Sequence, residues 1–266
     1  RAITKHLRAD GAMQACLTTE LKKAQAIEQA LTSPSMAGMD YVQEVSTPQA
    51  FTWAEESRRW TVPNPSSGQE GHYLELPEPR HRIVAYDFGL KFNILRQLRQ
   101  NGFEIEVVNS RTSAADVLAF NPDGIFLSNG PGDPGALDYI HAEIRKLIGK
   151  KPLFGICLGH QVLSHAFGGK TFKLKFGHRG GNQPVKDLRT GAVAITSQNH
   201  GFATDAESLP SHVEVTHLNL NDDTVEGLRS TQDPVFSVQY HPEAAPGPHG
   251  ASYFFKEFAD LIDATK

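Results

Sequence analysis

Gly155-Ile156-Cys157-Leu158-Gly159-His160 is the stretch on which the fold turns. It completes the apolar run Leu153-Phe154-Gly155-Ile156, expected as a strand, and leads into residues 161–167, expected as a helix. G-x-C-x-G between a strand and a helix has the form of a nucleophile elbow. The turn needs small residues on both sides because the nucleophile sits in a strained backbone conformation. Cys157 would then stand at a helix N-terminus, where the local field favours thiolate over thiol. The backbone N–H of Leu158 would point to the spot where an oxyanion develops. A lone cysteine ending a buried strand reads first as a core residue, since free Cys is among the most buried types. The glycines at −2 and +2 turn that reading towards a nucleophile.

Outward from the elbow, strands alternate with helices. Ile83-Val84-Ala85-Tyr86 reads as a strand, 93–99 as a helix, 104–108 as a strand and 114–120 as a helix. Residues 124–127 read as a third strand and 136–148 as a helix before the elbow strand. Such alternation indicates parallel strands joined by right-handed crossovers. Beyond residue 170 short strands are expected near 171–175, 192–196, 213–217, 224–228 and 235–239, as an antiparallel addition closed by a helix over 252–264. The expected class is therefore α/β: an open, mostly parallel sheet with flanking helices plus a short antiparallel addition. The remainder of a smaller N-terminal domain precedes it. That first region is assigned to 1–79, with helices over 2–10 and 20–31, a Pro/Ser/Gly-rich loop at 61–71 and a hinge at Pro77-Glu78-Pro79. The second domain is assigned to 80–266. Arg1 is not Met and leads straight into a helix, so the first part of the N-terminal domain is expected to be missing, along with any targeting signal.

Composition narrows the classes. With 266 residues, 39% hydrophobic and 21% charged, the chain is long enough for one large domain and a smaller piece. A net charge of −4 gives no nucleic-acid footprint, and no apolar run reaches bilayer-spanning length. Twelve histidines are scattered with no i, i+4 pair of a helical zinc site, so no metal is expected. Cys16 and Cys157 make no disulfide framework, which suits a reducing, cytoplasmic setting.

In open parallel sheets the working groups gather at the carboxyl ends of the strands. Three segments stand there: 128–134, 157–161 and 241–243. Tyr240-His241-Pro242-Glu243 places an imidazole and a carboxylate two residues apart, with Glu243 fixing the ring and stabilising its charged form. Alone it reads as a surface turn; beside the elbow it reads as the base and orienting acid of a cysteine nucleophile. Ser128-Asn129-Gly130-Pro131-Gly132-Asp133-Pro134 tempts a phosphate-cradle reading, but its prolines remove N–H donors and no G-K-[ST] follows. An oxyanion loop using the N–H of Gly130 fits better. Gly177-His178-Arg179-Gly180-Gly181-Asn182 and Ser197-Gln198-Asn199-His200-Gly201-Phe202 read as polar turns. His178 and His200 are then surface loop residues, and His160 is a packing residue.

Gly155 to Gln161 together with His241-Pro242-Glu243 resembles the class I glutamine amidotransferases. More narrowly, the chain resembles the family of small, glutamine-hydrolysing subunits of carbamoyl phosphate synthetase. Asn121 to Pro134, Lys175 to Asn182, Ser197 to Phe202, Gln239 to His249, Gly38-Met39-Asp40 and Glu44-Val45-Ser46 carry that resemblance across essentially the whole chain. It implies a nucleophile at Cys157, a base at His241 and an orienting acid at Glu243. It implies glutamine or oxyanion contacts at Gly130, Gly132, Leu158, Gln161, Asn199, Gly201 and Phe202. A serine that the family takes from its N-terminal domain has no counterpart in this sequence. Ala245 and Gly250 depart from the usual serine and aspartate without touching the triad. The implied activity is hydrolysis of glutamine through a glutamyl thioester. Ammonia then passes to a large synthetase partner that makes carbamoyl phosphate from bicarbonate and ATP, for arginine and pyrimidine synthesis. No cofactor is expected in the small chain, since ATP and metal ions belong to the large partner of a heterodimer. Two competing readings remain. One is an amidotransferase serving a different synthase, against which the Gly-Pro-Gly-Asp-Pro loop and N-terminal region argue. The other is a non-catalytic binding chain, against which the complete triad argues.

Overall fold

The computed structural model describes residues 1–54, 58 and 70–266. The expected loop at 61–71 falls, for 61–69, outside the described residues. In chain order come α1 (Ala2–Asp10), α2 (Lys23–Thr32), α3 (Val42–Val45), β1 (Phe51–Thr52), β2 (His81–Asp87) and α4 (Phe92–Gln100). Then follow β3 (Phe103–Asn109), α5 (Ala114–Ala119), β4 (Gly124–Leu127), α6 (Asp138–Leu147), β5 (Leu153–Ile156) and α7 (Leu158–Ala166). The chain closes with β6 (Lys170–Asp187), β7 (Val193–Asp205), β8 (Val213–Asn219), β9 (Val225–Ser230), β10 (Val235–Val238) and α8 (Tyr253–Asp263).

These strands form one sheet in the order β1-β3-β2-β4-β5-β10-β9-β8-β6-β7. Strands β3, β2, β4, β5 and β10 run parallel, and the remaining ladders are antiparallel. Alternation along β2 explains why both faces are covered. Ile83 and Ala85 point to a core shared with Ile94, Leu95 and Leu98 of α4 and with Phe254, Phe255, Phe258 and Ile262 of α8. Val84 and Tyr86 point to the opposite core, filled by Val117 of α5, Ile140, Ile144 and Leu147 of α6, and Val162 and Leu163 of α7. Phe154 of β5 stacks on Phe236 of β10 at 4.5 Å between centroids, which locks the central pair of strands. Among the described residues no helix is long and apolar enough to cross a membrane.

Three expectations need correction. The segments 177–182 and 197–202 are not turns: they lie inside β6 and β7, paired His178 to His200, Arg179 to Asn199 and Gly180 to Gln198. Register shifts between Lys173 and His178 and between Gly180 and Gln183 absorb the glycines, so the ladder overrides local turn propensity. In consequence His178 and His200 are buried rather than on the surface. Strand β10, expected in the antiparallel addition, pairs in parallel with β5 and antiparallel with β9, making it the junction of the two parts.

The region before the main sheet is bound to it. Asp133 accepts from the Gly38 N–H at 2.8 Å, and its own N–H donates to the Met39 carbonyl at 3.0 Å. Asp87 accepts from the Thr47 N–H at 2.8 Å, Ser46 Oγ accepts from the Ser110 N–H at 2.9 Å, and Val42 is fully buried. Through β1 this region also supplies an edge strand. Helices α1 and α2 bury no residue.

Candidate active site

Cys157 sits between β5 and α7 with φ 55° and ψ −103°, a conformation that costs a non-glycine residue about 1–3 kcal/mol. Its surroundings hold it there. The Cys157 N–H donates to the Val238 carbonyl at 2.9 Å and the Gly159 N–H to the Ser128 carbonyl at 3.0 Å, tying the elbow to β10 and β4. A Cβ on Gly155 would lie 2.7 Å from the Gly159 backbone, and one on Gly159 would run into the Leu127 carbonyl. Both flanking glycines are therefore demanded by close approach. Leu158, at the first helical position, has an N–H with no intrahelical acceptor. A Cβ on Gly130 would strike the Phe88 carbonyl and come within 2.6 Å of Leu158 Cδ2, so Gly130 lies directly against the elbow.

His241 and Glu243 follow β10, the strand beside β5. The His241 N–H donates to the Ser197 carbonyl at 2.9 Å, and the Asn93 side-chain amide donates to the Glu243 carbonyl. Nδ1 of His241 lies 2.7 Å from Oε1 of Glu243, which leaves Nε2 as the ring nitrogen to serve Cys157, whose charge also bears on the ring. Cys157, His241 and Glu243 are all buried. Burial pushes the imidazole towards neutrality, but the charges of Cys157 and Glu243 prevail and raise its pKa to about 10. Burial likewise opposes the Glu243 carboxylate, and the His241 and Lys91 charges hold it below its ordinary range all the same. Such a buried row of thiol, imidazole and carboxylate can run nucleophilic substitution at an acyl carbon.

The remaining expected positions spread over two walls. Gln161 is buried and donates through Nε2 to the Phe202 carbonyl at 2.9 Å and to Gln239 Oε1 at 3.0 Å. Gly201 adjoins Phe202 in β7, near the Lys173 and Arg179 side chains. Gly132, at φ 100°, abuts the Met39 carbonyl, while Asn199 is exposed and pairs with Arg179 across the hairpin. The contacts of these last two thus run to the N-terminal segment and to solvent.

Sequence reasoning missed Lys91. Its Nζ lies 3.2 Å from His241 Nδ1 and 3.5 Å from Glu243 Oε1. Nδ1 already gives its proton to Glu243, so the ammonium acts on the carboxylate. The signal was available: Lys91 follows the carboxyl end of β2, where working groups of such sheets collect. Among the described residues one cluster, His178, His200 and Glu226, has metal-type ligand atoms within 4.8 Å of one another. His178 Nε2, both ring nitrogens of His200 and Oε1 of Glu226 already have polar partners in Asp222, Phe202, Gln198 and Asn219, while Oε2 of Glu226 has none.

The chain matches the family described as glutamine amidotransferase class-I over residues 84–261. It is 55% identical over 270 residues to the carbamoyl phosphate synthase small chain of Akkermansia muciniphila, covering 100% of this chain and 68% of that protein. It is 50% identical over 267 residues to the protein of the same name in Syntrophotalea carbinolica, covering 100% and 69%. In fold it is similar to a crystal structure from Thermoplasma acidophilum described as a GMP synthase component. The TM-score is 0.61 at 21% identity, over 69% of this chain and 94% of that one.

Proposed function

Because the chain belongs to the class I glutamine amidotransferases, and within them to the carbamoyl phosphate synthase small chains, we propose that Cys157, His241 and Glu243 carry out its glutamine hydrolysis as a triad. Family membership gives glutamine amidotransferase activity in carbamoyl phosphate synthesis. What supports the residue assignment is one arrangement: a strained cysteine on a strand-to-helix elbow, coupled electrostatically to an imidazole whose Nδ1 is 2.7 Å from a buried carboxylate.

In this reading the Cys157 thiolate attacks the carboxamide carbon of glutamine, and the carbonyl oxygen takes up the negative charge. The N–H groups of Leu158 and Gly130 receive that charge, each such donor being worth on the order of a hundredfold in rate. His241 gives its proton to the amide nitrogen, the C–N bond breaks, and ammonia leaves a glutamyl thioester. Water then loses a proton to His241 as it attacks the thioester. Collapse expels the thiolate and releases glutamate. Gly132, Gln161, Asn199, Gly201 and Phe202 bind the glutamine.

The name small chain carried by the relatives supports a large-chain partner. We assign to that partner the ATP and metal chemistry that joins ammonia and bicarbonate, and to the pair a cytoplasmic place in arginine and pyrimidine synthesis. The division into 1–79 and 80–266 belongs to the same proposal. The test is a glutamyl adduct on Cys157 when the full-length protein is quenched during turnover; its absence, with glutamate still forming, would rule out the covalent route.

A further inference from the structure

The peptide that carries one of the two oxyanion donors is held from behind by a side chain with no path to the substrate. Ser128, which follows β4, has no exposed surface. Its Oγ accepts from the Phe88 N–H at 2.9 Å, so the single hydroxyl proton is left for an acceptor elsewhere. That proton goes to the Asn129 carbonyl, 2.8 Å from Oγ. The Ser128 backbone is committed on both sides as well. Its N–H donates to the Tyr86 carbonyl at 3.3 Å, and its carbonyl accepts from the Gly159 N–H at 3.0 Å. Ser128 is thus joined to the end of β2, to the elbow helix and to its own next peptide.

The Asn129 carbonyl and the Gly130 N–H belong to one planar trans peptide unit and point in opposite directions. A hydrogen bond that fixes the carbonyl therefore fixes the line along which the N–H is aimed. The neighbouring side chains do not share this task. Asn129 spends its amide on the adjoining loop, its Oδ1 accepting from the Lys91 N–H and its Nδ2 donating to the Gly89 carbonyl, both at 3.0 Å. Gly130 has no side chain to brace the plane, and none could be added, because a Cβ would strike the Phe88 carbonyl. An oxyanion donor is effective when it is aimed beforehand at the place where charge develops. The Ser128 hydroxyl sets that aim without meeting the substrate.

We propose that Ser128 is a positioning residue for glutamine hydrolysis, its hydroxyl holding the Asn129–Gly130 peptide so that the Gly130 N–H faces the developing oxyanion. This deepens the proposed function and rests on its assignment of Cys157 as nucleophile and Gly130 as an oxyanion donor.

The test uses the full-length protein, with glutamine reporting KM and kcat and thermal melting measured beside them. The aldehyde analogue of glutamine, with CHO in place of the carboxamide, reports the oxyanion site. The Cys157 thiolate adds to the aldehyde carbon, a C–S bond forms, and the carbonyl π pair moves onto oxygen with no group leaving. Ser128→Ala removes one oxygen and frees the peptide to turn. Both kcat and aldehyde affinity should fall about tenfold, less than for loss of a whole donor, while KM stays within about twofold. Ser128→Cys fills the same space with a weak donor and should fall between the two, so it carries the test even if the alanine variant melts below the assay temperature. Parental kcat and aldehyde affinity in either folded variant would overturn the proposal, even if melting fell, and so would a rise in KM alone. Cys157→Ala run alongside separates the two levels. If it is inactive while the Ser128 variants keep parental kcat, only the Ser128 proposal fails; if it hydrolyses glutamine, the site assignment fails and the proposal with it.

Discussion

Nδ1 of His241 and Oε1 of Glu243 lie 2.7 Å apart, both side chains buried past the carboxyl end of β10. The contact fixes which ring nitrogen faces Cys157 and stabilises the ring's charged form. A geometry so tightly set makes its removal informative.

Replacing Glu243 by Gln keeps the size and removes the charge. Glutaminase kcat/KM should fall by about a hundredfold or more, as for other orienting carboxylates. The pH profile gives a second reading. A group with a raised pKa holds its proton until the pH passes that value, so parental activity should decline as pH rises through about 10, where His241 loses its proton. In Glu243→Gln one of the charges that raises His241 is gone, and the alkaline limb should move to lower pH. An unmoved limb would separate His241 from Glu243.

Lys91 acts on the same carboxylate from the half-exposed side. Exposure screens it, so Lys91→Ala should cost only about tenfold or less in kcat/KM. Its sign is distinctive. Lys91 helps hold Glu243 below the ordinary carboxylate range, so its loss should move the acid limb of the profile to higher pH while leaving the alkaline limb near its place. Activity measured across the acid range decides this.

Gly159→Ala should damage the fold as well as the activity. The added methyl runs into the Leu127 carbonyl, a backbone atom that cannot step aside, and overpacking of this kind costs about 1–3 kcal/mol or more. Gly250→Ala is the matched control: nothing lies within 4 Å of its added Cβ, so its unfolding free energy should stay within about 0.5 kcal/mol of the parent. Equal denaturation midpoints for the two variants would contradict the close-packed elbow.

Legibility in the sequence follows the physics of each segment. Apolar runs such as Ile83 to Tyr86 and Leu153 to Ile156 are buried on both faces, and they mark parallel strands wherever they occur. The elbow was legible because two steric demands, at Gly155 and Gly159, leave a glycine signature. Strands β6 and β7 were legible only in their expected pieces near 171–175 and 192–196; the rest was not, since Gly177, Gly180 and Gly181 look like turn residues until a partner strand absorbs them through register shifts. Burial of His178 and His200 follows from that pairing and cannot be read before it. Glu226 gave no local sign at all, because its partners Gln198 and Asn219 come from other strands. Residues that act through their own backbone turn were readable, and residues that act through non-local pairs were not.

The most direct measurement is glutamate release from glutamine by Cys157→Ala in the full-length chain combined with the proposed large-chain partner, set beside carbamoyl phosphate synthesis driven by added ammonia. A Cys157 nucleophile predicts no glutamate above background while ammonia-driven synthesis continues at the parental rate. Glutamate release by Cys157→Ala at the parental rate would contradict it.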